Sequence, residues 1–284
     1  MKFPGPAYRA LKLDLGTQKG VRAAAAELFS WTDVLAIDIV VNNAAIMNIP
    51  ERTINEDGLE IQFATNHMGH FLFTSLIMPK LIQAAKGKPK GSTRVINVTS
   101  LSPTSAGMRW SDINFEKVNT TLPKDEQPVY EIHKRWGIKD PESKSYLPLE
   151  GYNQSKVANV LFSVGLNERL YDKYGILSLS VHPGIIFTEL SRYAAPETMA
   201  AIQDMLKAGA FTPKSLGAGS STTLVAATDP GLAKPETRDG KENYGVYLID
   251  CQFSDLILPR ACSTEGAEML WKLSEQLLKE DFAW

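Results

Sequence analysis

The chain has 284 residues, of which 44% are hydrophobic and 22% charged, the profile of an ordinary globular protein with room for one large domain or two small ones. A formal net charge of −2 gives no electrostatic reason to expect nucleic acid or an anionic membrane as partner. The two cysteines, Cys251 and Cys262, fit no metal spacing and cannot staple a chain of this size, so free thiols in a reducing compartment are expected. The longest apolar stretches, such as FLFTSLIM (71–78), fall short of a membrane span, and the N-terminal MKFPGPAYRA has no apolar signal core. A cytoplasmic location follows as the expectation, and the sequons NVT (97–99), NTT (119–121) and NQS (153–155) then carry no glycan.

In chain order, ALKLDL (10–15) reads as a strand and QKGVRAAAAELFSW (18–31) as a helix. DIVVNNAA (38–45) is a continuous apolar run ending in polar residues, the pattern of a strand buried on both faces. A long helical stretch covers roughly 56–85, GKPKGS (87–92) is a turn, and RVINVTS (94–100) is a second buried strand. GYNQSKVANVLFSVGLNERLYDKYG (151–175) is helical, with Gly175 placed to stop it. ILSLSVHPG (176–184) is a strand running into a Pro-Gly turn, YGVYLID (244–250) is the last strand, and EGAEMLWKLSEQLLKE (265–280) is a closing amphipathic helix. Such alternation implies an α/β fold, a parallel sheet with helices on both faces, in one domain over 1–284. The polar segment 103–150 breaks the rhythm and reads as an insertion after the 94–100 strand.

Ligands of such sheets sit at the carboxyl ends of the strands, which here carry Asp14, Asn42, Asn43, Thr99, Ser100 and His182 through Thr188. The helix after the 94–100 strand can bring Tyr152 and Lys156 to the same edge, and residues four apart share a helix face. A free phenol, with a pKa near ~10, is too weak an acid for neutral pH. An ammonium about 4 Å away favours the phenolate by roughly 4 kcal/mol at an effective dielectric of about 20, enough to bring it near neutrality. Tyr152 and Lys156 are then a candidate acid–base pair, with a nearby serine hydroxyl to hold a carbonyl or alcohol oxygen. The pair alone is weak, since Tyr-x-x-x-Lys arises by chance in many helices. Asn42 and Asn43 read equally well as strand caps. His67 and His70 stand three apart on a helix without a third ligand, which favours packing over a metal site.

NNAA (42–45), NHMGHFLFT (66–74), RVINVTS (94–100), YNQSK (152–156) and HPGIIFT (182–188) occur in that order. Together they resemble the short-chain dehydrogenase/reductase family, in particular its retinol-dehydrogenase-like and fungal members, over about residues 10–255. The resemblance implies a Rossmann-like doubly wound parallel sheet and reversible hydride transfer with NADP or NAD on a small organic substrate. It also implies roles. Tyr152 is similar to the general acid/base, Lys156 to the residue that tunes it and holds the nicotinamide ribose, Ser100 to the substrate-orienting serine, and Asn66 to the asparagine of a water-borne proton relay. Asp14 resembles the acidic residue at the adenine ring, Asn43 the asparagine at the adenine ribose, and Ile186 and Thr188 the segment that grips the carboxamide and phosphates. Family members often pair through a helix like 151–175, so a homo-oligomer is expected.

Two departures stand against this pattern. The 103–150 insertion separates Ser100 from Tyr152 and is expected to wall the substrate pocket, together with a helical, mobile covering segment at 189–213. The family's opening strand and glycine-rich turn (Thr-Gly-x-x-x-Gly-x-Gly), which cradle the pyrophosphate, have no counterpart before Asp14, so the fold is expected to be N-terminally truncated. The 10–15 strand is then expected to close the gap beside 38–45. An oxidoreductase acting on an alcohol–carbonyl pair is the leading reading. A binding protein that keeps the substrate half of the fold, and a cofactor-independent isomerase or cyclase using Tyr152 and Ser100, are the alternatives.

Overall fold

The computed structural model describes residues 8–284. In chain order the elements are α1 (Gln18–Ser30), β1 (Ile39–Asn42), α2 (Ile61–Phe63), a π-turn (Ala64–Met68), α3 (Gly69–Ala85), β2 (Thr93–Val98), α4 (Tyr130–Arg135), α5 (Pro148–Tyr174), β3 (Ile176–His182), α6 (Pro196–Lys207), α7 (Leu216–Thr228), β4 (Glu236–Arg238), β5 (Lys241–Tyr244), β6 (Tyr247–Ile249), β7 (Gln252–Phe253) and α8 (Thr264–Leu278). The main sheet runs β1-β2-β3-β6-β7, parallel except for β7, and β4 and β5 form a separate hairpin. Helices cover both faces. α3 and α5 lie on one side over a core that includes Phe63, Phe71, Phe162 and Trp271. On the other side, Ala226 and Ala227 of α7 pack on Ile96, Val98, Leu177, Leu179 and Val181. This is the doubly wound parallel arrangement implied by the strand–helix alternation.

The central elements stand where periodicity predicts them. β2 and β3 are buried at every position, as expected for parallel strands covered on both faces. α5 begins with Pro148 at its first position and ends on Gly175, whose left-handed φ of 72° lets its N–H bond to the Tyr171 carbonyl at 2.8 Å. At Gly151 the helix runs close to its neighbours: a Cβ there would lie 2.6 Å from Gln62 Nε2, which would have to move.

Three expectations need correction. Residues 8–14 form no strand, and β1 pairs only with β2 among the described residues. The alternation in ALKLDL is real, since Leu11 and Leu13 pack on the core while Lys12 and Asp14 are exposed, but no backbone ladder forms. β1 is also not buried on both faces. Asn42 packs inward, whereas Ile39 and Val41 stay 38% and 42% exposed because α7 covers only β2, β3 and β6. Finally, the 56–85 helix starts at Ile61 and widens into the π-turn at Ala64–Met68, a deformation that often marks a functional site. No helix among the described residues is long and apolar enough to cross a membrane. α8 packs on α5: Trp271 approaches Gly165, and Arg169 pairs with Glu268 at 2.6 Å.

The 103–150 segment is ordered around a buried cation. Arg109 pairs with Asp112 at 2.5 Å, both side chains at most 5% exposed. Its guanidinium also donates to Asn119 Oδ1 and to the carbonyls of Lys117 and Ser145, gathering both ends of the segment. Asp112 in turn accepts the backbone N–H groups of Glu116 and Lys117. Arg109→Leu would strand that carboxylate without its cation, and urea unfolding should show a loss of about 3–5 kcal/mol. A loss below about 1 kcal/mol would mean that Arg109 does not organise the segment.

Candidate active site

The site forms where β2 ends against α5. The parallel ladder stops at Val98, leaving its carbonyl free, and α5 supplies the donors: Lys156 Nζ at 2.9 Å and Asn159 Nδ2 at 3.2 Å. In return Thr99 Oγ1 donates to the Lys156 carbonyl at 2.7 Å. These bonds fix the register in which Ser100, one step beyond Thr99, meets Tyr152, one helical turn before Lys156. The Ser100 carbonyl accepts the Tyr247 hydroxyl at 2.6 Å, tying β6 to the same point. Tyr152 and Lys156 are 6% and 2% exposed.

The electrostatics differ from the expected pair. Lys156 Nζ lies 5.5 Å from the centroid of the Tyr152 ring and is hydrogen-bonded to Val98. Burial pulls its pKa down to about 7, so near neutrality it is only partly charged. Burial pushes the Tyr152 phenol well above its ordinary value, offset in part by the Ser100 hydroxyl. Burial thus disfavours the phenolate and the ammonium alike, a desolvation that works against the expected attraction between them.

Asn66 sits in the π-turn, fully buried. Both Nδ2 donors are committed, to the Ile46 carbonyl and to Ser155 Oγ at 2.9 Å each, while Oδ1 accepts the Ile46 N–H at 2.9 Å. Ser155 Oγ then donates to the Tyr152 carbonyl at 2.7 Å. The Asn66 side chain thus clamps the loop after β1 onto α5. His70 helps, with Nε2 2.8 Å from the Ala44 carbonyl. His67 lies among Phe63, Phe71 and Phe162, with Nε2 3.1 Å from Ser274 Oγ. Burial lowers His67 to about 3 and His70 to about 4, so both are neutral packing residues.

The other sequence-derived positions are scattered. Asn43 is exposed just past β1, where a ligand at the strand ends could reach it. Ile186 is half-buried against Gly219, and Thr188 is exposed, its Oγ1 accepting the Leu190 N–H at 3.2 Å. Asp14 is turned back on its own chain, accepting the Gly16 N–H at 2.9 Å ahead of α1. A cavity of about 190 Å³ opens before α5, between Asn48 and Pro50, then Ile138, Lys144, Tyr146 and Pro148 of the long segment, then Ala195 and Thr198 at the start of α6. Apart from Asn48 and Pro50, its lining comes from the segments 103–150 and 189–213.

The residues fit one half of a nicotinamide dinucleotide. In its charged form Lys156 has three N–H donors, one of them given to the Val98 carbonyl, so the others suit ribose hydroxyls. The pyrophosphate half is not matched: no glycine-rich turn faces the strand ends among the described residues. The N-terminus of α1 already holds a carboxylate, Asp57 Oδ2, which accepts the Gln18 N–H at 2.8 Å. Sequence reasoning missed Ser102, Asn153, Glu150 and Tyr247. The first three lie within three residues of Ser100 or Tyr152, and Glu150 and Asn153 share a helix face, a spacing that was visible.

The model of the short chain dehydrogenase family matches residues 3–111. An uncharacterized oxidoreductase of Schizosaccharomyces pombe is 36% identical over 228 residues, covering 80% of this chain and 58% of that protein. The chain therefore spans little more than half the length of this relative. A chloroplastic short-chain dehydrogenase of Brassica napus, TIC 32 A, is 31% identical over 98% of this chain and 74% of its own. Mouse retinol dehydrogenase 13 is 31% identical over 96% of this chain and 69% of its own. Among solved structures, an uncharacterized protein from Mycobacterium paratuberculosis superposes with a TM-score of 0.57 at 26% identity, covering 96% of this chain and 76% of that one. The chain belongs to the short-chain dehydrogenase/reductase family of oxidoreductases.

Proposed function

We propose that the chain carries the acid–base site of an NADP- or NAD-dependent oxidoreductase that interconverts an alcohol and a carbonyl on a small organic substrate. The observation that carries this reading is the convergence of Ser100 from the end of β2 with Tyr152 and Lys156 from α5, locked by the bonds to Val98. Family membership makes the reaction class coherent with that geometry. The nicotinamide ring, when bound, supplies the hydride chemistry; the chain's own residues manage the proton and the orientation.

Tyr152 is the proton donor to the reacting oxygen in reduction and its acceptor in the reverse direction. A buried phenol that keeps its proton suits the first role directly. Lys156 has donors free for the nicotinamide ribose, and acceptors placed against it raise its charge and so ease deprotonation of Tyr152. Ser100 orients the reacting oxygen beside the phenol. We place the substrate in the cavity between the long segment and α6, whose lining mixes the apolar Ile138, Pro148 and Ala195 with the polar Asn48, Tyr146 and Thr198 and the cation Lys144.

Two results are expected. Reduction of a panel of aldehydes and ketones with NADPH or NADH should fall roughly 10³-fold in kcat for Tyr152→Phe, in line with loss of a general acid. Turnover that survives this change would remove Tyr152 from the mechanism. Calorimetric titration with the same nucleotides should show binding to the wild type that weakens by about tenfold in Lys156→Met, the scale of a lost charge-assisted hydrogen bond. Equal affinities would mean that Lys156 does not hold the nucleotide. Product formation in the absence of any nucleotide would instead favour the isomerase or cyclase reading.

A further inference from the structure

Behind Ser100 lies a line of buried polar groups that the reaction as described does not use. Ser100 Oγ is 2.6 Å from Ser102 Oγ, and Ser102 Oγ is 2.7 Å from Asn153 Oδ1. Asn153 Nδ2 is 3.1 Å from Glu150 Oε2, and the same oxygen is 2.9 Å from His133 Nε2. Ser102, Asn153 and Glu150 are each at most 9% exposed and His133 is 1% exposed. His133 belongs to α4, inside the segment that separates β2 from α5. We propose that His133, Glu150, Asn153 and Ser102 are positioning residues that fix the direction of the Ser100 hydroxyl, so that the long segment is wired into the site as well as walling it. This inference rests on the reading of Ser100 and Tyr152 as the reacting pair.

Counting protons gives the chain a direction. Glu150 as a carboxylate only accepts, and it accepts from both Asn153 and His133. That orients the Asn153 carboxamide with its oxygen toward Ser102. Ser102 has a single hydroxyl proton, and it goes to that oxygen. The short contact between the two serines must then use the proton of Ser100, whose oxygen also accepts the Ser102 N–H at 3.0 Å. Ser100 by itself is a free rotor; the four groups behind it select one arrangement. The anchor is buried and holds the line through the Nε2 contact with Glu150, while His133 Nδ1 has no hydrogen-bond partner.

Two measurements decide the matter, one of them independent of turnover. The first is a double-mutant cycle on urea unfolding with Ser100→Ala and Glu150→Gln, two residues that do not touch. A chain through Ser102 and Asn153 predicts non-additive unfolding constants, by about threefold or more; strict additivity would overturn the proposal. The second uses His133→Phe and His133→Gln, the latter keeping an N–H donor for Glu150. The expected outcome is a kcat lowered by about tenfold with KM unchanged in His133→Phe, and substantial recovery in His133→Gln. A wild-type kcat in His133→Phe, or no difference between the two variants, would contradict it. Tyr152→Phe serves as the control: an enzyme indifferent to that change fails the catalytic reading, while the unfolding cycle still reports on the chain.

Discussion

The candidate site hangs from one backbone carbonyl. β2 ends at Val98, and the lone pairs left over there accept from Lys156 and Asn159 of α5 while Thr99 bonds back to the helix. The cost is the burial of an amine whose one hydrogen-bond acceptor is neutral. An amine in that position gives up much of its basicity, and the neighbouring phenol gives up much of its acidity, because the same desolvation penalises both charged forms. The pair is therefore a poised donor and a weakened base, awaiting acceptors that a bound ligand would bring.

Much of the supporting architecture exists to hold that crossing. Asn66 and His70 pin the loop after β1, and Asn66 reaches α5 through Ser155. Asn42 donates to Thr74 and to Asn97, which bonds to Ser163, so that β1, β2, α3 and α5 share one buried polar network. Such a network is favourable only when satisfied throughout, which explains why asparagines and serines occupy positions on α5 that hydrophobic packing alone would fill with leucine. Gly151 allows α5 to approach Gln62 and Glu60 beside Tyr152.

The parts legible from sequence are those where local rules and tertiary packing agree. β2 and β3 read as continuous apolar runs because both faces are covered, and α5 announced itself by its length and by Gly175. The Tyr152 and Lys156 pair was visible because helical spacing fixes it, but its electrostatics were not, since attraction can be read from spacing and desolvation cannot. The strand expected at 10–15 failed for a different reason: alternation reports side-chain faces, and a strand also needs a neighbour for its backbone. The segment 103–150 was legible only as an interruption. Its order depends on a buried ion pair, Arg109 with Asp112, that periodicity does not register.

The central claim is that Lys156 is a buried, carbonyl-anchored amine beside a protonated Tyr152. It is tested most directly by NMR titration of lysine side chains labelled at the ε-carbon, with Lys156→Met used to assign the resonance. The account predicts a midpoint for Lys156 near 7 in the nucleotide-free protein, apart from the other lysines. A midpoint near ~10.4, the ordinary lysine value, would contradict it.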